Sequence, residues 1–584
     1  MTTNTTMQVG SAAIPEARHT IEPTSKAQID ESLAVLQDHK QAWVDLSIDD
    51  RIKCLQDLIH RTVGVSDRWI ESAIKAKKLR AGSAEEAEEW FAGPAVVIRN
   101  MQLLIRSLTD IAKHGVPQLP KRAYERSDGQ VVAPVYPTDV WDSLLFTGFT
   151  AEVWMDPRVK LSELSKNQAE FYRTQNKVPK VALVLGAGNV SSIGPMDALY
   201  KLFVEGQVVV LKMNPVNEYL GPIIEDAFAS LVDAGFFRVV YGGAVEGEYL
   251  CQHDLVDEIH ITGSDKTHDA IVFGVGEEGR RNKEQNRRKN NKRITSELGN
   301  VSPVIVVPGP WSTSDVAYQG ENIASSLCNN AGFNCNATRV IVQHESWSQR
   351  NALVDAIKKA FSKVHERYPY YPGAEDRHDR FVAAHPNANQ FGAEGEGKVP
   401  WTLISHLDPT KKDDICFNTE AWCGVTSEVA LTANSVAEYI DKAVDFCNDE
   451  VWGSLNAAII VHPESLKDPT IAAAVERGIA NLRHGAVAVN HWPALAYAFV
   501  STTWGAFPGH TDQDIRSGRG VVHNSYLFDH PQKSVVRGPF RVRPKPGWFA
   551  SHKTAAELGR KLTYFNADPS VIRIPSLLWS ALRG

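Results

Sequence analysis

The run Lys180-Val181-Ala182-Leu183-Val184-Leu185-Gly186-Ala187-Gly188-Asn189 decides how this chain is read. A continuous apolar run that ends in glycines describes a strand buried on both faces and opening into a loop. Three further runs behave alike: Val208-Val209-Val210-Leu211-Lys212, Phe237-Arg238-Val239-Val240-Tyr241-Gly242-Gly243, and Asp257-Glu258-Ile259-His260-Ile261-Thr262-Gly263-Ser264. Helical stretches separate them, and strands alternating with helices predict a parallel α/β sheet. Gly186-x-Gly188 invites a dinucleotide-binding reading, but the third glycine is not at the expected spacing.

Working outward, two later stretches carry chemistry. Ser296-Glu297-Leu298-Gly299-Asn300-Val301-Ser302-Pro303 places a carboxylate at a Gly-bearing turn. Asn330-Ala331-Gly332-Phe333-Asn334-Cys335-Asn336-Ala337 places a thiol in a small polar loop. A thiol becomes a good nucleophile when its pKa is lowered or a base stands beside it. A carboxylate can activate water for the second half of a covalent mechanism. The pair therefore suggests acyl transfer through Cys335 with water attack assisted by Glu297. The plain alternatives are a small buried Cys and a solvated Glu. Cys328, on the helix expected over 315–330, is the rival thiol and reads as structural.

Composition narrows the class. The 584 residues suffice for two or three domains, and 43% hydrophobic with 22% charged residues is ordinary for a globular protein. A net charge of -7 implies no nucleic-acid or anionic-membrane partner. Seven thinly spread Cys do not form a disulfide framework and point to a reducing, cytoplasmic setting. No Cys/His spacing signals a metal. No run of about 18 apolar residues predicts a transmembrane helix. Residues 1–28 read as a flexible or loosely docked arm. Ser47 with Asp49 and Asp50 reads as an N-cap and acidic first turn. Residues 117–137 read as loop, residues 142–154 as extended, and residues 276–293 as a basic surface insertion or an anion-binding lid.

These motifs resemble the aldehyde dehydrogenase superfamily. Glu297-Leu298-Gly299-Asn300-Val301-Ser302-Pro303 matches its Glu-Leu-Gly-Gly-Lys-Ser-Pro base motif, with Asn300 at the second Gly. Gly332-Phe333-Asn334-Cys335 matches its Gly-Gln-x-Cys nucleophile motif, with Phe333 at the Gln. The Thr262-Gly263-Ser264 segment matches Phe-Thr-Gly-Ser, and Glu420-Ala421-Trp422-Cys423-Gly424-Val425 is similar to Glu-Ile-Phe-Gly-Pro-Val. The resemblance implies a Rossmann-type cofactor domain over 29–296, an α/β catalytic domain over 297–510 and a small oligomerisation element. A bridging segment over 141–175 and a late strand within 511–543 would serve subunit contacts in a dimer or tetramer. Residues 544–584 extend past the family's usual end.

The resemblance also implies roles. Cys335 would be the nucleophile, Glu297 the general base, and Asn189 an oxyanion donor. Lys212, Gly243, Gly263, Ser264, Glu420 and Trp422 would hold NAD or NADP. Pro215 stands where the family has a ribose-binding Glu, which leaves the two cofactors open. Helix capping by Asn189 or Ser264, and a solvated Lys212 at a strand end, are the bland readings of the same residues. His491-Trp492 and Trp504-Gly505-Ala506-Phe507-Pro508-Gly509 are candidates for the acyl pocket or for plain aromatic core. The implied activity is oxidation of an aldehyde to an acid through a Cys335 thioester. A coenzyme A-acylating enzyme and a non-catalytic binding member of the fold are the alternatives.

Overall fold

The computed structural model describes residues 9–392 and 397–584. The four predicted strands lie within one six-stranded sheet. Its order is Gly518–Arg519, Arg293–Leu298, Glu258–Gly263, Val181–Leu185, Val208–Lys212, Phe237–Val240. All neighbours are parallel except the short Gly518–Arg519, which runs antiparallel to Arg293–Leu298. The chain leaves Val181–Leu185 toward Val208 on one side and returns to Glu258 on the other. That reversal opens a crevice at the carboxyl ends of the strands, where α/β sheets bind ligands.

Helices Lys26–Asp45, Ile48–Lys77, Ala84–Phe91 and Pro94–His114 cover one face. Ser47 caps the second, its Oγ accepting from Asp50 N at 3.1 Å. Leu33, Trp43, Leu58, Trp69 and Met101 join the strand residues Leu183, Val184 and Val209 in one core.

A second sheet has eleven strands, with Asn389–Phe391 at one edge and Tyr124–Glu125 at the other. Its parallel centre is Trp401–Leu407, Val425–Leu431, Thr338–His344, Ser302–Val306, Asn456–Ile460, Ala486–Val489 and Pro531–Arg537. The late strand was expected to join a neighbouring subunit's sheet. Instead Pro531–Arg537 pairs in parallel with Ala486–Val489 of its own chain and antiparallel with Thr150–Met155. The hydrogen-bonding edge of Ala486–Val489 is thus filled in cis.

Two local expectations also change. Residues 117–137 contain the strand Val131–Tyr136, with Pro134 beside a register break that tolerates its missing N–H. Only Thr150–Met155 of residues 142–154 is extended, because Asp139 caps a short helix Val140–Leu145 by accepting from Trp141 N and Asp142 N. The arm expected over 1–28 lies outside the described residues up to residue 8. From residue 9 it is docked, as Gly10–Ser11 pairs in parallel with Thr419–Glu420.

The extension folds into helices Ala555–Ala567 and Ile574–Leu582. Leu558, Phe565, Ile574 and Leu577 pack with Phe91, Trp141 and Leu145. Ile572, Trp579 and Leu582 stay on the surface. Among the described residues no helix is long and apolar enough to cross a membrane.

Candidate active site

The Cys335 loop follows helix Thr313–Cys328 and begins with a sharp reversal. Asn330, Ala331 and Gly332 all have positive φ, at 52°, 56° and 80°. A side chain on Gly332 would meet the Cys423 carbonyl oxygen at 2.6 Å, so only glycine fits this approach. Asn330 is held by its own amide, which donates to Asn189 O and Asn334 Oδ1, both at 3.0 Å. Its Oδ1 accepts from Tyr370 OH at 2.8 Å and from Lys77 Nζ at 3.2 Å. Lys77 is itself buried and pairs with Glu89 at 2.7 Å. This network ties the Cys335 loop to the turn at Asn189. Beyond the reversal, Ser302 Oγ and Asn456 Nδ2 donate to Cys335 O at 3.0 and 3.1 Å.

Glu297 lies on the last part of strand Arg293–Leu298, fully buried and hydrogen-bonded to the Cys335 thiol. Burial pushes its carboxyl up to about 8, with the Asp197 carboxylate adding to the shift. Burial and the facing Glu297 push the Cys335 thiol well above its ordinary value. Both groups are therefore biased toward their protonated forms, and Glu297 Oε1 has no hydrogen-bond partner. Cys328 is completely buried and its thiol is pushed up by that burial, consistent with a structural part.

Asp197 was not singled out from the sequence. It sits on the apolar helix Ile193–Leu199, where a lone carboxylate among hydrophobic residues was the available signal. It accepts from Thr262 Oγ1 at 2.7 Å and lies 3.4 Å from His260 Nε2. The Lys77–Glu89–Asn330 clamp was also missed, because its members are far apart in the chain.

All nine residues singled out from the sequence line one cavity of about 630 Å³: Cys335, Glu297, Asn189, Lys212, Gly243, Gly263, Ser264, Glu420 and Trp422. Asn189 Nδ2 gives one hydrogen to Phe333 O at 2.9 Å. Lys212 Nζ donates to Gly242 O, and burial lowers its pKa to about 8. Ser264 caps helix Asp265–Phe273, accepting from Thr267 N at 3.1 Å. Glu420 accepts from Asn300 N at 3.1 Å, and burial raises its carboxyl to about 7. Lys289 of the basic insertion reaches the far end of the cavity, while Lys283 pairs with Asp269 at 2.6 Å and Arg280 with Glu284 at 2.8 Å. The insertion is thus mostly solvated surface with one residue on the cavity wall.

The docked N-terminal segment runs along this cavity. Ser11 N donates to Asp265 Oδ1 at 3.0 Å, and Ala244 N donates to Glu16 Oε1 at 3.0 Å. A Cβ on Gly243 would meet that Glu16 oxygen at 1.8 Å. The groove thus already accommodates an extended chain with an anionic group against a helix N-terminus. That donor set and the bare glycine backbone fit a dinucleotide carrying phosphates.

Cys335 and Glu297 also line a second cavity of about 330 Å³ on their other side. Of the aromatic candidates, Trp492 and Trp504 are on its wall; His491 and the residues 506–509 are not. His491 Nε2 instead bonds to Pro539 O at 2.8 Å. Elsewhere, His385, Asp414 and Cys416 bring three ligand-type atoms within 4.8 Å, a grouping the linear spacing did not signal.

Comparison with known proteins agrees with this geometry. Residues 155–373 match the aldehyde dehydrogenase family model. Those residues are thus similar to the aldehyde dehydrogenase family, and the fold is that of solved aldehyde dehydrogenases. Human 4-trimethylaminobutyraldehyde dehydrogenase is 33% identical over 143 residues, which are 24% of this chain and 26% of that one. The match thus spans about a quarter of that relative's length. Aldehyde dehydrogenase C from Pseudomonas syringae, in a structure with NAD+ and octanal, superposes with a TM-score of 0.57 at 15% identity, covering 93% of this chain and 98% of that one. A glyceraldehyde-3-phosphate dehydrogenase from Methanocaldococcus jannaschii complexed with NADP gives 0.58 at 13% identity, covering 91% and 99%.

Proposed function

We propose that this protein oxidises an aldehyde to a carboxylic acid with NAD or NADP. The observation that carries the reading is the placement of Cys335 and Glu297 as the shared wall of two cavities. One cavity suits a dinucleotide and the other a carbonyl substrate. In its ionised form Glu297 takes the proton of Cys335 Sγ, which attacks the aldehyde carbon and forms a thiohemiacetal. The Cys335 N–H and the Asn189 amide face the developing oxyanion. A nicotinamide held by the groove residues would accept the hydride, and the acyl group would then remain on Cys335 as a thioester. After releasing that proton to solvent, Glu297 takes one from water as the water oxygen attacks the thioester carbonyl; the acid leaves and the departing Cys335 thiolate regains a proton. Lys212, Gly243, Gly263, Ser264, Glu420 and Trp422 would orient the cofactor.

Glu297 with an unpartnered oxygen at the thiol supports hydrolysis over transfer to coenzyme A. Seven free cysteines suit a cytoplasmic location, and a homo-oligomer remains part of the reading, tested by light scattering. The deciding assay follows reduced nicotinamide with an aldehyde panel, NAD or NADP, with and without coenzyme A. Turnover without coenzyme A is expected. Cys335→Ala is expected to abolish it while cofactor still binds; full activity of that variant would remove Cys335 from the mechanism.

A further inference from the structure

The part of the chain that goes beyond the resembled family supplies one side of the second cavity. Its wall includes Cys335, Tyr497 and Phe499 together with Trp548, Leu562, Leu578 and Ala581. The last four belong to the 544–584 extension, whose two helices are fastened over Phe91 and Leu145. The middle of the wall is stiff, since Tyr136 stacks on Phe499 at 4.0 Å between ring centres with an interplanar angle of 5°.

Charged groups on the inner wall are already engaged. Glu88 is paired with Arg367 at 2.8 Å, and Arg99 with Asp142 at 3.0 Å. Lys545 Nζ donates to Ser551 Oγ at 2.8 Å. Arg543 is exposed. A substrate that enters therefore meets hydrocarbon and committed charges between the surface and the thiol.

We propose that the C-terminal extension forms an acyl channel, and that the substrates are unbranched aliphatic aldehydes of medium to long chain. This rests on the aldehyde-oxidation reading above and names its substrate class. The alkyl tail lies along Phe499, Leu562 and Leu578 while the carbonyl reaches Cys335. Each methylene moved from water onto this wall strengthens binding about fourfold, so selectivity for length follows from the channel alone.

The test has two arms. In the first, kcat/KM is measured for butanal, hexanal, octanal, decanal and dodecanal, with succinic semialdehyde as a charged control. A rise of about fourfold per methylene is expected until the channel is full. Ala581→Trp and Leu562→Trp are each expected to lower the dodecanal-to-butanal ratio at least tenfold. A flat or falling series among aldehydes that turn over, or a preference for succinic semialdehyde, would overturn the channel. In the second arm, decanoate and butanoate are titrated calorimetrically into Cys335→Ala, which needs no catalysis. Decanoate is expected to bind a hundredfold tighter or more, and equal binding would overturn the proposal. Tight decanoate binding with no aldehyde turned over would keep the channel and remove the oxidation reading.

Discussion

Three consecutive left-handed residues set Cys335 against Glu297, and the most exacting of them is Gly332. An Ala there has both an unfavourable φ of 80° and a backbone oxygen 2.6 Å from its Cβ. Gly332→Ala is expected to cost about 2 to 4 kcal/mol and lower the melting temperature by several degrees. Thermal unfolding by circular dichroism checks the first, and a slower reaction of Cys335 with iodoacetamide checks the displacement of the loop. Glu297 makes the pH dependence explicit. Its carboxyl is raised from 4.5 to about 8, so below that pH it keeps its proton and cannot take one from water. The rate of thioester hydrolysis is expected to rise with pH through that region and level off above it. Glu297→Gln should leave a burst of reduced nicotinamide, slow turnover and no such limb. A pH profile unchanged by the substitution would assign the limb to another group.

Among the elements, the N-terminal segment stands out because it shares the cofactor's groove. Ser11 and Glu16 use Asp265 and the Ala244 N–H, the same helix starts that a dinucleotide's phosphates need. If a dinucleotide takes this groove as proposed, it competes with the segment, which then has to move. A charged hydrogen bond of this kind is worth about 1.5 to 3 kcal/mol, so Glu16→Ala is expected to tighten NAD or NADP binding by roughly tenfold. Fluorescence titration with reduced cofactor measures it, and unchanged or weaker binding would show that the segment does not compete. The anchor further along is Glu218, which is buried and accepts from Ile21 N at 2.9 Å and from the Thr20 hydroxyl at 3.0 Å. It keeps the segment's end in place when the part over the groove lifts.

For the molecule as a whole, Pro531–Arg537 is the strand on which two regions depend. It joins Ala486–Val489 of the catalytic sheet to Thr150–Met155 of the hairpin. Val535 is completely buried between them. Val535→Asp places a carboxylate there without a partner and is expected to cost about 3 kcal/mol or more. Urea unfolding should show the loss as a lower midpoint, and a near-neutral result would mean that this strand is not part of the folded sheet in solution. The extension works at the same scale, since its helices line the second cavity while packing on Phe91 of the first helical layer.

Local pattern was enough for the parallel cofactor sheet, because Val181–Leu185 and its neighbours are apolar on both faces and each is flanked by its own helix. It also singled out Cys335, Glu297 and seven further residues that line one cavity, because each lies in a short motif at a strand or helix end. The sequence alone also placed a structural role on Cys328. What it left open was decided by contacts between distant parts of the chain. Whether Pro531–Arg537 pairs in cis depends on which strand edge lies within reach, and a strand's own residues are compatible with either partner. The docking of residues 9–21 depends on Asp265, Ala244 and Glu218, none of which is near it in the chain. The raised carboxyl of Glu297 needs its burial and Asp197, and burial exists only once both sheets have closed around it. The second cavity likewise required the extension to fold back onto Phe91 and Leu145, a contact across more than four hundred residues of chain.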